Sequence, residues 1–157
     1  ATALVERHAQ GIARFAASIG ERDEVEEVVQ DTFVRAFGSL DSFRGESTFR
    51  TWLLTIARNL VRDRQRGRKR SRVHVEIHDD DVATSSNALE DAVAAESEGR
   101  LQRAVEQLSP LQRSVFTLRV TEGMSYREIA VAVGSTEGAA RVHYHNAMRS
   151  IREKIDE

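Results

Sequence analysis

Apolar residues recur along this chain at intervals of three and four, and strand-type alternation is almost absent, so the sequence reads as a succession of amphipathic helices. Val5, Ile12, Phe15, Ala16 and Ile19 share one face of a first helix that should stop at Gly20. Val25, Val28, Val29, Thr32, Phe33, Ala36, Phe37 and Leu40 keep the same spacing in a second, more deeply packed helix. Its outer face is acidic early, with Glu24, Glu26, Glu27 and Asp31 toward the positive end of its dipole. That face reads either as solvated surface or as a protein-docking surface. The polar loop LDSFRGEST comes next, and Phe43 within it is either an anchor to the core or one wall of a pocket for an unstacked base. A third helix starts near Ser47 and buries Phe49, Trp52, Leu53, Ile56, Ala57 and Leu60. Its end changes character: Arg58, Arg62, Arg64, Arg66, Arg68, Lys69, Arg70 and Arg72 gather against a single acid, Asp63, a density suited to a phosphate backbone.

From Ser71 to about Asn87 the stretch SRVHVEIHDDDVATSSN has no sustained period and is acidic in its middle, the composition of a linker. Asp79, Asp80 and Asp81 beside His74 and His78 do not read as a metal site, because consecutive carboxylates face different ways and no EF-hand glycine or closing glutamate accompanies them. The next helix ends on Leu101, Ala104, Val105 and Leu108; Ser109 then caps a helix with Pro110 at its first position and Leu111, Val115 and Leu118 as its buried positions. Gly123 closes it and opens GMSYREIAVAVGSTEGAARVHYHNAMRSIREKI, which reads as two helices on a tight turn. Ser125 and Glu128 have the spacing of a capping box, and Tyr126, Ile129, Ala130 and Val133 form one buried face. Gly134 supplies a left-handed stop, and Thr136 caps the second helix of the pair. Ala140, Tyr144, Ala147, Met148, Ile151 and Ile155 make the last apolar stripe, with Arg141, His145, Arg149 and Arg152 on an adjoining face. This is the pattern of a helix-turn-helix, whose second helix sets its N-terminal residues against bases in the major groove. A helical hairpin with a solvated basic face is the plainer alternative.

Composition sharpens the class. One proline, no cysteine and the helical periodicity indicate an all-α chain of two small helical domains joined by a flexible linker, with no disulfide or thiolate metal site. The expected boundaries are 1–70, a linker over 71–87, and 88–157 with the helix-turn-helix. No apolar run approaches a membrane span and the start has no signal-peptide pattern, so a cytoplasmic location is expected. The net charge of −2 argues against a general nucleic-acid binder, which leaves any DNA contact to local patches. No Cys, Ser or His constellation resembles a triad; we expect no enzyme, no catalytic residue, no cofactor and no metal.

The residues also resemble the extracytoplasmic-function (ECF) group of bacterial RNA polymerase sigma factors over nearly the whole chain. DEVEEVVQDTFVRAF is similar to that family's polymerase-binding helix, FRGESTFRTWLLTIARNLVRDRQR to its promoter-melting and minus-ten-reading segment, and LSPLQRSVFTLRVTEGMSYREIA to the opening of its minus-thirty-five-reading domain. The resemblance implies a non-enzymatic transcription initiation factor that docks on core RNA polymerase and directs it to promoters, under control of an anti-sigma factor. It places Gln30, Asp31, Phe33 and Arg35 on the polymerase-binding helix, although Phe33 also belongs to the periodic apolar face. Phe43, Arg44, Gly45, Glu46 and Ser47 fall in the loop that helps hold a flipped minus-ten base, Asn59 lines that pocket, and Arg58 and Arg62 meet nearby phosphates. Thr136, Arg141, Val142, His145, Asn146 and Arg149 fall on the minus-thirty-five reader. Val142, His143 and Asn146 stand where serine and arginines are common in the family, so the preferred promoter should differ from that of better-known relatives. The alternatives are a conventional operator-binding regulator without polymerase docking, and a helical adaptor whose basic patches bind acidic proteins.

Overall fold

A computed structural model of the chain describes residues 2–74 and 96–156, so most of the expected linker, with His78 and Asp79 to Asp81, lies outside the described residues. Among the described residues there are seven α-helices: α1 (Thr2–Ser18), α2 (Val25–Gly38), α3 (Phe49–His74), α4 (Glu96–Glu106), α5 (Pro110–Phe116), α6 (Tyr126–Val133) and α7 (Glu137–Ile155). A short 3-10 turn, Leu40–Ser42, lies within the loop before α3, and α5 runs into a π-helical turn, Thr117–Thr121, that the periodicity does not foretell. The first helix ends where expected, with Gly20 at φ 112°. The third begins at Phe49 rather than Ser47, because the Thr48 hydroxyl accepts a 3.1 Å hydrogen bond from the amide of Thr51 and so caps it.

Each half assembles as its stripes require: α1, α2 and α3 pack on one another, while α4, α5 and α6 all pack on α7. The halves also pack together, α3 against α6 and α1 against α5. One core therefore crosses the boundary, joining Ile12, Phe15, Phe33, Leu53, Leu54 and Ala57 to Val115, Leu118, Met124, Ile129 and Val133. Ala104, Leu108, Ala147 and Ile151 form a smaller core confined to the second half.

Polar contacts reinforce the junction. Arg14 Nε donates to Glu122 Oε2 at 2.7 Å, and Arg50 Nη1 donates to the Glu122 carbonyl oxygen at 3.1 Å. Arg113 Nε donates to the carbonyl oxygen of Ser18 at 2.7 Å. Gly11 admits the Glu122 carboxylate to the surface of α1; a Cβ there would lie 3.0 Å from Oε1.

Candidate nucleic-acid interface

The helix-turn-helix is built by local hydrogen bonds. Ser125 Oγ accepts from the Glu128 amide, and the Glu128 carboxylate accepts from the Ser125 amide, each at 3.1 Å, completing the capping box at the start of α6. Gly134 at φ 71° ends the helix, with its amide bonded to the carbonyl of Val131 and that of Ser135 to Ala130. These are the two bonds of a Schellman motif, which needs a left-handed residue where Gly134 stands. Thr136 Oγ1 then accepts from the Ala139 amide at 3.1 Å and starts α7, so this hydroxyl is committed to the cap.

On α7, Ala140, Ala147 and Ile151 are buried, whereas Arg141, Val142, His145 and Arg149 are exposed on one side. Val142 is 55% exposed, and such an apolar side chain in solvent is available to a thymine methyl. Asn146 is half-buried, and its Oδ1 accepts from Arg149 Nη2 at 3.2 Å. Arg141 Nη2 lies 3.4 Å from the Glu137 carboxylate.

The residues expected at the minus-ten element lie in the loop before α3 and along α3 itself. Phe43 is an anchor in this arrangement, with its ring centroid 5.0 Å from Trp52 and 5.7 Å edge-on to Phe49. Arg44, Gly45 and Glu46 are exposed beside it, and Gly45 takes φ 75°, a turn that side chains disfavour. Ser47 is half-buried and donates to the Thr48 carbonyl. Asn59 is exposed about two turns along α3 from Trp52, roughly 10 Å away along the axis. Arg62 is exposed, but Arg58 turns toward the other half, its guanidinium so close to Gly134 that a Cβ there would meet it at 2.8 Å. Burial, and then the neighbouring Arg62 charge, lower the Arg58 pKa.

Of the polymerase-binding set, Gln30 and Arg35 are exposed and Asp31 is half-buried. Phe33 is 6% exposed, with its ring 5.9 Å from Phe37 in a stacked pair, so it shapes the helix and presents no side chain to a partner. Sequence reasoning passed over Val34, which lies off the apolar stripe and is 66% exposed, one turn after Gln30. It also missed Glu21, whose carboxylate is fully buried between α1 and α2.

Glu21 changes the reading of the basic block. Arg68 Nη2 donates to both of its oxygens at 2.7 and 2.8 Å, and Arg64 Nε stands 3.6 Å away. Arg64 also pairs with Glu24 and Glu27, and Arg66 with Asp63. Arg64 and Arg68 thus fasten α3 to Glu21 and to the start of α2, and the net field of the block toward a phosphate is smaller than the arginine count suggests. Burial pushes the Glu21 carboxyl up, but the Arg68 hydrogen bond, the Glu24 amide and the two arginine charges together hold it below its ordinary value. Because the folded value is lowered, its contribution is complete above the ordinary glutamate pKa and is lost as pH falls through the lowered one. Changing Arg68 to Met should cost about 1–3 kcal/mol at neutral pH. The deficit should shrink in acid, which urea unfolding at two pH values would reveal; an equal deficit at both would remove the ion pair as its cause.

Among the described residues, no group of three His, Cys, Asp or Glu side chains is arranged to hold a metal ion, and no helix is long and apolar enough to cross a membrane.

Known proteins share this architecture. The family model of sigma-70 region 2 matches residues 4–71, and that of sigma-70 region 4 matches residues 98–151. The ECF RNA polymerase sigma-E factor of Haemophilus influenzae is 31% identical, covering 97% of this chain and 85% of its own length. That of Escherichia coli K12 is 32% identical, covering 97% and 84%. Among solved structures, the sigma factor RpoE of Bartonella quintana, bound to the anti-sigma factor NepR, superposes with a TM-score of 0.78 at 26% identity, over 99% of this chain and 96% of that one. CnrH, bound to the cytosolic domain of CnrY, gives 0.66 at 31% identity, over 99% and 86%. The chain belongs to the ECF group of RNA polymerase sigma factors.

Proposed function

We propose that this chain binds core RNA polymerase and directs it to promoters, as a transcription initiation factor that catalyses no reaction itself. The observation that carries this reading is the exposed Arg141, Val142, His145 and Arg149 face of α7, on a helix-turn-helix whose partner half matches sigma-70 region 2. In this reading α7 reads the minus-thirty-five element, with Thr136 capping it and Asn146 steadying Arg149. The loop at Phe43, Arg44, Gly45, Glu46 and Ser47, with Asn59, holds an extruded minus-ten base, while Arg62 meets phosphate and Arg58 joins it once released from Gly134. Extruding a base costs a few kcal/mol, which stacking and edge hydrogen bonds offset. Gln30, Asp31 and Arg35, with Val34 beside them, present α2 to polymerase, and Phe33 supports that helix from within. Transcription in vitro from a promoter library tests the reading: core polymerase alone should select nothing and the mixture should select a narrow set, whereas an unselective mixture would overturn it.

Control by an anti-sigma factor is part of the proposal, supported by two neighbours in structure that are themselves held by such partners or by the cytosolic domain of another protein. Capture of this chain from unstressed cells should bring down a stoichiometric inhibitor that is lost under an inducing stress. Recovery of polymerase alone under every condition would strike the inhibitor from the account.

A further inference from the structure

The ring of Tyr126 sits at the meeting point of three elements. It is the first residue of α6, and the guanidinium carbon of Arg119, from the π-helical turn, lies 4.2 Å from its centroid. That of Arg141, from α7, lies 4.5 Å from the same centroid. Tyr144, also on α7, meets the ring edge-on at 6.0 Å. Arg119 is itself tied down, since its Nη1 donates to the Met124 carbonyl at 2.9 Å. The ring is thus held by the capped start of α6, by an anchored cation and by a second aromatic. Arg141 is the one member of the group that is exposed.

We propose that Tyr126 is a positioning residue for promoter specificity: its ring is the platform that orients the Arg141 guanidinium for a base edge, so that Arg141 reads a guanine instead of serving as a mobile phosphate contact. The inference rests on the proposed role of α7 as a DNA reader. An arginine in solvent carries large rotamer freedom, and a bidentate grip on guanine O6 and N7 needs its planar fork held in one orientation. A π face restrains a guanidinium in that way without satisfying its N–H groups, so a base competes only with the 3.4 Å bond from Nη2 to Glu137. Glu137, one turn before Arg141 on α7, lies 3.4 Å from Arg141 Nη2 and adds a restraint on the same guanidinium. A phosphate contact would have no need of such preparation, because it tolerates any approach of a positive charge.

The experiment uses the whole of this chain with core polymerase, and scans every base pair of the minus-thirty-five element of a promoter that the wild type selects. Arg141→Ala should flatten discrimination at one guanine position. Tyr126→Phe, which keeps the ring, should retain it. Tyr126→Leu, which keeps apolar bulk but removes the π face, should reduce discrimination at that same position by about two- to fivefold. Its salt dependence should match the wild type, since no phosphate contact is lost. Full discrimination in Tyr126→Leu overturns the proposal, as does uniform weakening at every position, which marks a purely structural ring. Selectivity in the wild type that is indifferent to Arg141→Ala also overturns it while leaving the promoter-directing role intact; a wild type that selects no promoter fails at the earlier step.

Discussion

Phe15→Ala should lower the unfolding midpoint of both halves of the chain together, although Phe15 lies on α1 and far in sequence from the helix-turn-helix. The ring is fully buried in the core that joins α1 and α3 to Val115, Leu118, Met124 and Ile129. Truncating it removes apolar burial and leaves a cavity, at a cost of about 3–5 kcal/mol, or roughly 6–20 °C in midpoint for a chain of this size. The aromatic residues supply separate reporters. The single tryptophan, Trp52, lies on α3, and the two tyrosines, Tyr126 and Tyr144, lie on α6 and α7. Trp52 fluorescence and tyrosine absorbance should give coincident transitions in the wild type and transitions displaced equally in the variant. A tyrosine transition that stays in place while that of Trp52 falls would show that the halves fold independently and that their packing contributes little.

The features legible in the sequence are those fixed within a few residues. The capping box at Ser125 and Glu128, the left-handed Gly134, the Thr136 cap and the Ser109–Pro110 start all reappear in the structure, because each depends on groups within about five positions of one another. The apolar stripes were equally legible, but not their destinations. Phe15, Leu53 and Ile129 each lie on a regular stripe, and a stripe looks the same whether it packs within its own half or across the boundary. The basic block at the end of α3 was only partly legible for a related reason. Its acidic partners Glu21, Glu24 and Glu27 lie some forty residues earlier, where charge pattern suggests only a solvated or docking face. At the sites, exposure separates what family position lumps together. Phe33 turns inward and Val34 outward, and Arg58 faces Gly134 while Asn59 next to it faces solvent. The Arg119, Tyr126 and Arg141 cluster escaped notice because its members come from three separate elements and fit no periodic rule.

Alone, the chain should bind duplex promoter DNA weakly, and it should become a strong, sequence-selective binder only in complex with core polymerase. The charge balance already points that way, since a net charge of −2 and the pairing of Arg64, Arg66 and Arg68 with acids weaken the attraction to phosphate. The packed arrangement adds a geometric reason. The two promoter elements are named for positions about 25 base pairs apart, roughly 85 Å of duplex. The longest helix, α3, has 26 residues and spans about 39 Å, and it packs directly against α6. With the halves closed, we expect that both elements are not engaged at once, and Arg58 is turned to Gly134. Docking on polymerase through α2 would separate the halves and hold them at the promoter spacing, turning two weak contacts into one bivalent engagement, a gain of about a hundredfold or more. The measurement is a salt titration of promoter binding by the free chain, by core polymerase and by the two mixed, alongside a distance between spin labels. The chain has no cysteine, so Ala17→Cys and Leu101→Cys, on the two walls of the groove between α1 and α4, take the only labels. Their separation across that groove in the free chain should lengthen when core polymerase is added. Tight, selective binding by the free chain, with no gain and no change in distance on adding core, would reject the polymerase-directed reading and favour a conventional operator-binding regulator.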